Sequence, residues 1–212
     1  MKTRMFFALL VMSFFTACAV NELTKDFDMV TGENFIAPLN RYPGGIPSRV
    51  LILPVTGMTQ VSYKQIFLND LMTTLHQGRD FLIISYHDDL LTQSNLKITQ
   101  EQANSRAIEQ KCDAVLYLSL LNQSVYPPLR LTVKVLMTDI HTGKILLDGM
   151  LDYDVQNELV SNSARRFYQT RLQKTESPEK SLSILSQNQL FLRFVGYDVG
   201  KAILRAFSKD LN

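Results

Sequence analysis

Side chains that could form a metal site occur together at one point of the chain. His87 is followed directly by Asp88 and Asp89, a pattern similar to that of metal-dependent phosphohydrolases of the HD type. Such a site needs further ligands and supporting hydrogen-bond partners. The remaining histidines, His76 and His141, do not stand at ligand-like spacing. We therefore interpret the stretch as an acidic loop and expect no bound metal.

Other catalytic motifs are missing from the sequence as well. The chain contains no G-x-S-x-G elbow, and Thr142-Gly143-Lys144 lacks the upstream glycine of a phosphate-binding loop. Cys112 has no neighbouring signal of a nucleophile. We expect it to be a small buried apolar side chain, and a mixed disulfide with another subunit is the alternative. The sequence thus predicts a protein that is not an enzyme and has no cofactor.

The N-terminus has the three-part arrangement of a secretory signal. Two basic residues precede an apolar stretch over residues 5–15, which is too short to cross the roughly 30 Å core of a bilayer. Phe15-Thr16-Ala17-Cys18 then resembles the lipobox of bacterial lipoproteins. The resemblance implies removal of residues 1–17 as a signal peptide and acylation of Cys18, with palmitate among the chains. An ordinary signal in which Cys18 is incidental is the alternative.

The residues after the signal predict where the protein resides. By resemblance to enteric lipoproteins, Ala19 implies sorting to the outer membrane, with the domain facing the periplasm. Signal removal takes away Lys2 and Arg4, so 20 basic residues balance 20 acidic ones. This neutral chain argues against a nucleic-acid ligand and against electrostatic docking on anionic lipid. Residues 18–48 are polar, contain several prolines and glycines and show no regular period, so we expect a lipidated flexible tether.

A single α/β domain is predicted for residues 49–212. Buried strands are expected at 50–55, 81–85 and 114–121, with an amphipathic helix ending at Gly78 between the first two. Thr99 and Gln102 form a capping box that begins a second helix. This alternation predicts a parallel βαβαβ core.

The second half of the domain predicts a hairpin and a long helix. Apolar and polar residues alternate over 129–138 and 144–154, on either side of a turn with Gly143 at positive φ. One hairpin face should pack on the domain and the other should face water. An apolar stripe over 192–207 predicts a C-terminal helix that packs on this mixed sheet, and Gly196 and Gly200 should allow its close approach to the sheet.

Residues 156–189 are predicted to form a polar helical excursion, either a solvated segment or, in the functional interpretation, a partner-binding arm. Arg166, Tyr168 and Arg171 combine aromatic and arginine side chains as interface hot spots do. We take these three residues as the candidate partner-binding site. The alternative is that the stretch extends the preceding helix and packs locally.

Three segments together carry a family resemblance: the strand ending Leu53-Pro54-Val55, the stretch Cys112-Asp113-Ala114-Val115, and the turn Asp139-Ile140-His141-Thr142-Gly143-Lys144. They resemble the periplasmic α/β domain of the TolB N-terminal, CsgG and LpoB-like group. The resemblance implies an outer-membrane lipoprotein with protein partners, held at the membrane by its lipid anchor.

Two functions are compatible with these observations. The first is a structural or assembly subunit of a multiprotein envelope complex, such as a secretion channel or a flagellar-type ring, and it includes a possible homo-oligomer. The second, implied by the LpoB-like resemblance, is an activator of a peptidoglycan synthase. We expect the first.

Overall fold

A six-stranded mixed sheet forms the centre of the fold in the computed structural model, which describes residues 35–40, 42, 46–57, 60–78, 82–85, 98–124, 126–172 and 183–208. The strands are β1 Phe35–Pro38, β2 Arg49–Ile52, β3 Leu82–Ser85, β4 Ala114–Ser124, β5 Arg130–Asp139 and β6 Ile145–Asp154. Their spatial order is β1-β6-β5-β4-β2-β3. Strand β2 is parallel to both β3 and β4, while the β4–β5, β5–β6 and β6–β1 pairs are antiparallel. The mixed α/β sheet expected from the sequence is confirmed.

Within the described ranges, two helices connect the parallel strands, and two more follow the hairpin. They are α1 Val61–Gln77, α2 Gln100–Glu109, α3 Glu158–Phe167 and α4 Asn188–Ser208. The predicted capping box is present, because Thr99 Oγ1 accepts from the Gln102 N–H while Gln102 accepts from the Thr99 N–H. A π-helical turn, Tyr168–Leu172, directly continues α3. None of the described helices is both long and apolar enough to cross a membrane.

The core lies on both faces of the sheet but is much larger on one. Successive residues of β2 alternate between the faces: Val50 and Ile52 pack in the larger cluster, and Leu51 packs in the smaller one. Helices α1, α3 and α4 cover the larger side. On the other side α2 contributes Ala103 and Ala107 against β2 and β4. The parallel half of the sheet is therefore covered on both faces, as parallel strands require.

The predicted tether extended too far toward the domain. Residues 35–38 belong to β1, which pairs with β6 in the register Phe35↔Met150 to Pro38↔Leu147, and Ile36 is buried. A four-residue edge strand is too short to show a period in sequence, and Pro38 ends it where an edge tolerates proline. The last part of the predicted 18–48 tether is thus part of the fold.

Two glycines of α4 lie against α1. A Cβ on Gly196 would stand 2.4 Å from the Phe67 carbonyl oxygen, and one on Gly200 would stand 2.8 Å from the Thr74 Cβ. The small residues therefore permit close helix–helix packing, and the expected helix–sheet contact is wrong. Close approach of this kind forms a dry layer above the sheet.

Candidate functional site

The predicted anchor and the predicted acidic loop fall outside the described residues. This applies to Cys18 and to His87-Asp88-Asp89. Of the other histidines, exposed His76 lies against the Met72 carbonyl oxygen through Nδ1, and His141 lies in the hairpin turn. The described residues contain no group of three or more histidine, cysteine or acidic side chains able to hold a metal.

Cys112 is located where the sequence predicted, as a buried free thiol. It packs in the smaller cluster with Ala103 and Ala107 of α2. Burial raises the pKa of this thiol, although the nearby Arg49 acts in the opposite direction. A raised pKa disfavours the reactive thiolate, so the residue behaves as a small apolar side chain.

The candidate partner-binding residues do not form one surface. Arg166 and Arg171 are exposed, whereas Tyr168 is fully buried in the core with Phe167 and Leu172. The interpretation of Tyr168 as a surface contact is therefore wrong. The physical reason is the helical repeat of α3, which places Tyr168 four residues after buried Ala164 on the inward face, and the π-helical turn keeps Leu172 on that face as well. The alternative of local packing describes this part of the stretch.

Arg171 instead contributes to a shallow groove between α1, α4 and the π-helical turn. Its guanidinium carbon lies 5.3 Å from the centroid of the Tyr197 ring, a cation–π arrangement. Beside it, Arg193 Nε contacts Asp70 Oδ2 at 3.3 Å. The groove has a volume of about 150 Å³, and Phe167 and Leu172 add apolar atoms to its lining. We call this feature the arginine groove and define it by Asp70, Arg171, Arg193 and Tyr197.

The charges in the arginine groove affect one another. Burial raises the pKa of Asp70, and the Arg193 guanidinium partly counteracts that rise. Burial likewise raises the pKa of the Tyr197 hydroxyl, while Arg171 acts in the opposite direction. Both effects are those of cations held beside partly desolvated groups.

Two of the three motifs that carried the family resemblance, around Asp113 and around Asp139, meet at one end of the sheet, whereas Leu53-Pro54-Val55 follows the other end of β2. Asp113 accepts hydrogen bonds from Ser48 Oγ at 2.7 Å and from the Arg49 N–H at 2.9 Å. Asp139 accepts from the His141 N–H at 2.7 Å and from Thr142 Oγ1 at 2.9 Å. Burial raises the pKa of each carboxyl, but these hydrogen bonds outweigh it and hold the pKa below its usual value. Both carboxylates fix backbone turns, so their role is structural.

A buried polar pair lies between the hairpin and α4. The Tyr153 hydroxyl donates to Asp198 Oδ2 at 2.9 Å, and the Tyr153 ring meets Phe194 edge-on at 6.0 Å. Burial raises the pKa of Asp198 to about 6, although Tyr153 and Arg205 act in the opposite direction. Asp198 is a charged residue of α4 that is only 6% exposed. Its burial arises from a contact between positions 45 residues apart, which sequence periodicity does not reveal.

The second face of the hairpin half of the sheet is open. In the described part of the chain, α2 packs beside this half on β2 and the start of β4, and no helix packs over β5 and β6 on that side. Met150 is 51% exposed and Leu121 is 38% exposed. We call this region the open face and define it by Leu121, Lys134, Leu136, Met150 and Asp152.

The open face mixes apolar and charged side chains in register. Met150 lies opposite Lys134, and Leu136 lies opposite Asp148. At its far end, Arg130 Nε contacts Asp154 Oδ2 at 2.8 Å. The predicted water-facing side of the hairpin is therefore confirmed. Met150, in phase with Asp148 and Asp152, is the apolar side chain that this alternation leaves exposed at the centre of the face.

Comparisons with known proteins show structural similarity and no family. No protein-family model matches the chain, and no curated protein matches it. Among solved structures it is similar to the hypothetical protein CT253 from Chlamydia trachomatis, with 13% identity and a TM-score of 0.48, over 77% of this chain and 99% of that one.

Two further similar structures are a lipoprotein and part of an LpoB. Lipoprotein GNA1162 from Neisseria meningitidis is 15% identical, with a TM-score of 0.41, over 59% of this chain and 99% of that one. The C-terminal domain of LpoB from Salmonella enterica is 16% identical, with a TM-score of 0.36, over 55% and 86% of the two chains.

Proposed function

We propose that this chain is a lipid-anchored, periplasm-facing lipoprotein of the outer membrane that acts as a non-catalytic assembly subunit of a multiprotein envelope complex. The anchor is the acylated Cys18, and the open face is the surface that contacts a protein partner. The observation that carries the assembly role is the open face itself, where a sheet that is otherwise packed exposes Met150 and Leu121.

The composition of the open face fits an interface between folded proteins. Non-obligate interfaces are about as apolar as the remaining surface, and methionine is enriched in them. Met150 is flanked on its own strand by Asp148 and Asp152 and faces Lys134 on β5. An unbranched methionine adapts its shape to a partner, and the surrounding charges give the contact its orientation.

The size of the open face limits what it can do alone. Three strands about 4.8 Å apart, each contributing about six residues at roughly 3.3 Å per residue, cover on the order of 300 Å². A standard interface buries about 800 Å² on each partner. The open face therefore supplies part of an interface, and a complex with several copies or several contacts would complete it.

The anchor is tested by replacing Cys18 with serine. We expect Cys18→Ser to lose metabolic palmitate labelling and to appear as an uncleaved or soluble species, because acylation supplies the membrane attachment. Fractionation of outer and inner membranes from cells with the native chain should place it in the outer membrane. Palmitate labelling of the variant equal to that of the native chain would disprove the lipid anchor.

The assembly role is tested by affinity purification from detergent-solubilised membranes. Native chain should co-purify ring or secretion components, and Met150→Arg should lose them at unchanged membrane localisation. The matched control is Leu159→Arg, because Leu159 is 49% exposed on α3, away from the open face. Recovery of a peptidoglycan synthase with the native chain would favour the activator function instead. Equal recovery of ring or secretion components with both variants would contradict docking through the open face.

A further inference from the structure

We propose that the arginine groove binds a carboxylate carried on a small apolar or aromatic group, supplied by an acidic segment of a partner protein. The groove lies on the helix-covered side of the domain, between α1, α4 and the π-helical turn. It is separate from the open face, so the proposal holds or fails independently of the proposed function.

The charge of the groove favours an anion. Arg193 contacts the Asp70 carboxylate at 3.3 Å, so this pair is locally neutral. Among the described residues, no carboxylate is recorded within ion-pair distance of Arg171. Among the described residues of the groove, one positive charge is therefore left without a carboxylate partner, and its side chain is exposed to an incoming anion.

The orientation of Arg171 suits a carboxylate in particular. Its guanidinium lies over the Tyr197 ring at 5.3 Å, and that ring packs on Phe167 at 5.1 Å. A guanidinium carries a planar fork of N–H donors, which matches the two oxygens of a carboxylate. Because the aromatic rings fix Arg171 in advance, less conformational entropy is lost on binding.

The volume of the groove limits the size of the apolar group. The space is about 150 Å³, and an engineered apolar cavity of about 150 Å³ holds benzene. Phe167 and Leu172 contribute apolar atoms, while Thr73 and Gln77 of α1 contribute polar atoms. The groove therefore offers room for one small group, such as a phenyl ring next to an acidic group, and it is open to solvent on one side.

The backbone around Arg171 supports a binding role. Arg171 lies within the π-helical turn Tyr168–Leu172, and π-helical turns occur frequently at functional sites. The turn directs Tyr168 and Leu172 into the core while Arg171 remains exposed. The π-helical turn thus holds this segment on the core through Tyr168 and Leu172 and leaves the Arg171 guanidinium exposed.

The proposal is tested by titrating the full chain in detergent with hydrocinnamate, a phenyl group that carries a carboxylate. The arginine Nε–Hε signals of the ¹⁵N-labelled protein report directly on Arg171 and Arg193. We expect saturable shifts of both signals in the millimolar range. Hydrocinnamide, which has the same shape without the charge, should produce no saturable shift.

Variants separate the groove from general surface charge. Arg171→Gln should weaken hydrocinnamate binding at least tenfold, and Arg171→Lys should be intermediate because it retains the charge and loses the planar fork. Arg165→Gln is the matched control, since Arg165 is exposed on α3 and its replacement removes the same charge away from the groove. It should bind as the native chain does. Thermal midpoints measured for each variant confirm that the domain remains folded.

Two further probes identify the class of partner. A capped Asp-Phe-Glu peptide should compete with hydrocinnamate, whereas its Asn-Phe-Gln counterpart should not. Inorganic phosphate at the same concentration should compete poorly. The proposal is overturned if hydrocinnamide binds as well as hydrocinnamate, if Arg171→Gln binds unchanged, or if phosphate competes as well as the acidic peptide.

Discussion

The two faces of the hairpin β5–β6 use the same strands for different purposes. On one face Val133, Val135 and Leu151 are buried beneath the helical layer. On the other face Lys134 and Met150 are exposed, one position away along the same backbone. Since side chains alternate along a strand, a single stretch both folds the domain and presents a surface. We therefore expect that the stability of the domain and the proposed partner contact can be changed separately by substitutions on the two faces.

The largest effect is expected where α4 meets α1. Gly196→Val places a Cβ only 2.4 Å from the Phe67 carbonyl oxygen, so the two helices must separate. We expect the free energy of unfolding to fall by about 3 kcal/mol, the upper end of the usual range for overpacking. Chemical denaturation measures this directly. A loss of unfolding free energy below about 1 kcal/mol would show that α1 and α4 can move apart at little cost.

A pH-dependent effect on stability is expected at Asp198, the α4 residue that accepts a hydrogen bond from Tyr153. Its pKa is about 6 in the folded chain and 3.8 for the unperturbed group, so the folded state retains the proton more tightly. Protonated Asp198 therefore stabilises the folded state. Its contribution to the free energy of unfolding is about 3 kcal/mol, which is fully present below about pH 4 and is lost as the pH rises through 6.

Asp198→Asn isolates this contribution, because the amide does not titrate and its oxygen still accepts from Tyr153. Between pH 4 and pH 7 the native chain should lose up to about 3 kcal/mol of unfolding free energy relative to the variant. The measurement is a series of denaturation curves for both proteins in matched buffers. Parallel pH dependence of the two proteins would contradict the assignment.

An intermediate effect is expected at the turn that joins β5 to β6. Gly143 has φ of +67°, and a Cβ there would meet no atom within 4 Å. Gly143→Val should therefore cost roughly 1–3 kcal/mol through backbone strain alone. Gly143→Asn is the control, because asparagine adopts positive φ more readily. An unchanged melting midpoint for the valine variant would show that strain at this position is negligible.

The smallest effect on stability is expected on the open face. Met150→Arg changes a side chain that is 51% exposed, so the unfolding free energy should change by about 0.5 kcal/mol or less. The same substitution is expected to abolish partner recovery. A large destabilisation would instead show that the open face belongs to the core.

The elements with a clear period were predictable, and the irregular ones were not. Alternation gave the hairpin, and the Thr99 capping box marked the start of α2. The strand β1 was missed because four residues do not establish a period. Tyr168 was assigned to the surface from its arginine neighbours, although it stands four residues after Ala164 on the buried face of α3.

The arginine groove shows the same limit for functional sites. Asp70 and Arg193 stand 123 positions apart, and their contact depends on how closely α1 and α4 pack. The sequence showed only that arginines are frequent around Arg171. Its stacking on Tyr197 follows from tertiary structure alone.

The central claim is that the open face contacts a protein partner. Photo-crosslinking in intact membranes tests this claim most directly. A photoreactive benzoylphenylalanine would be placed at Met150 in one variant and at Leu159 in another, since these side chains are 51% and 49% exposed. We predict a discrete crosslinked protein adduct from position 150 and none from position 159. Equal adducts at both positions, or an adduct at 159 alone, would contradict the claim.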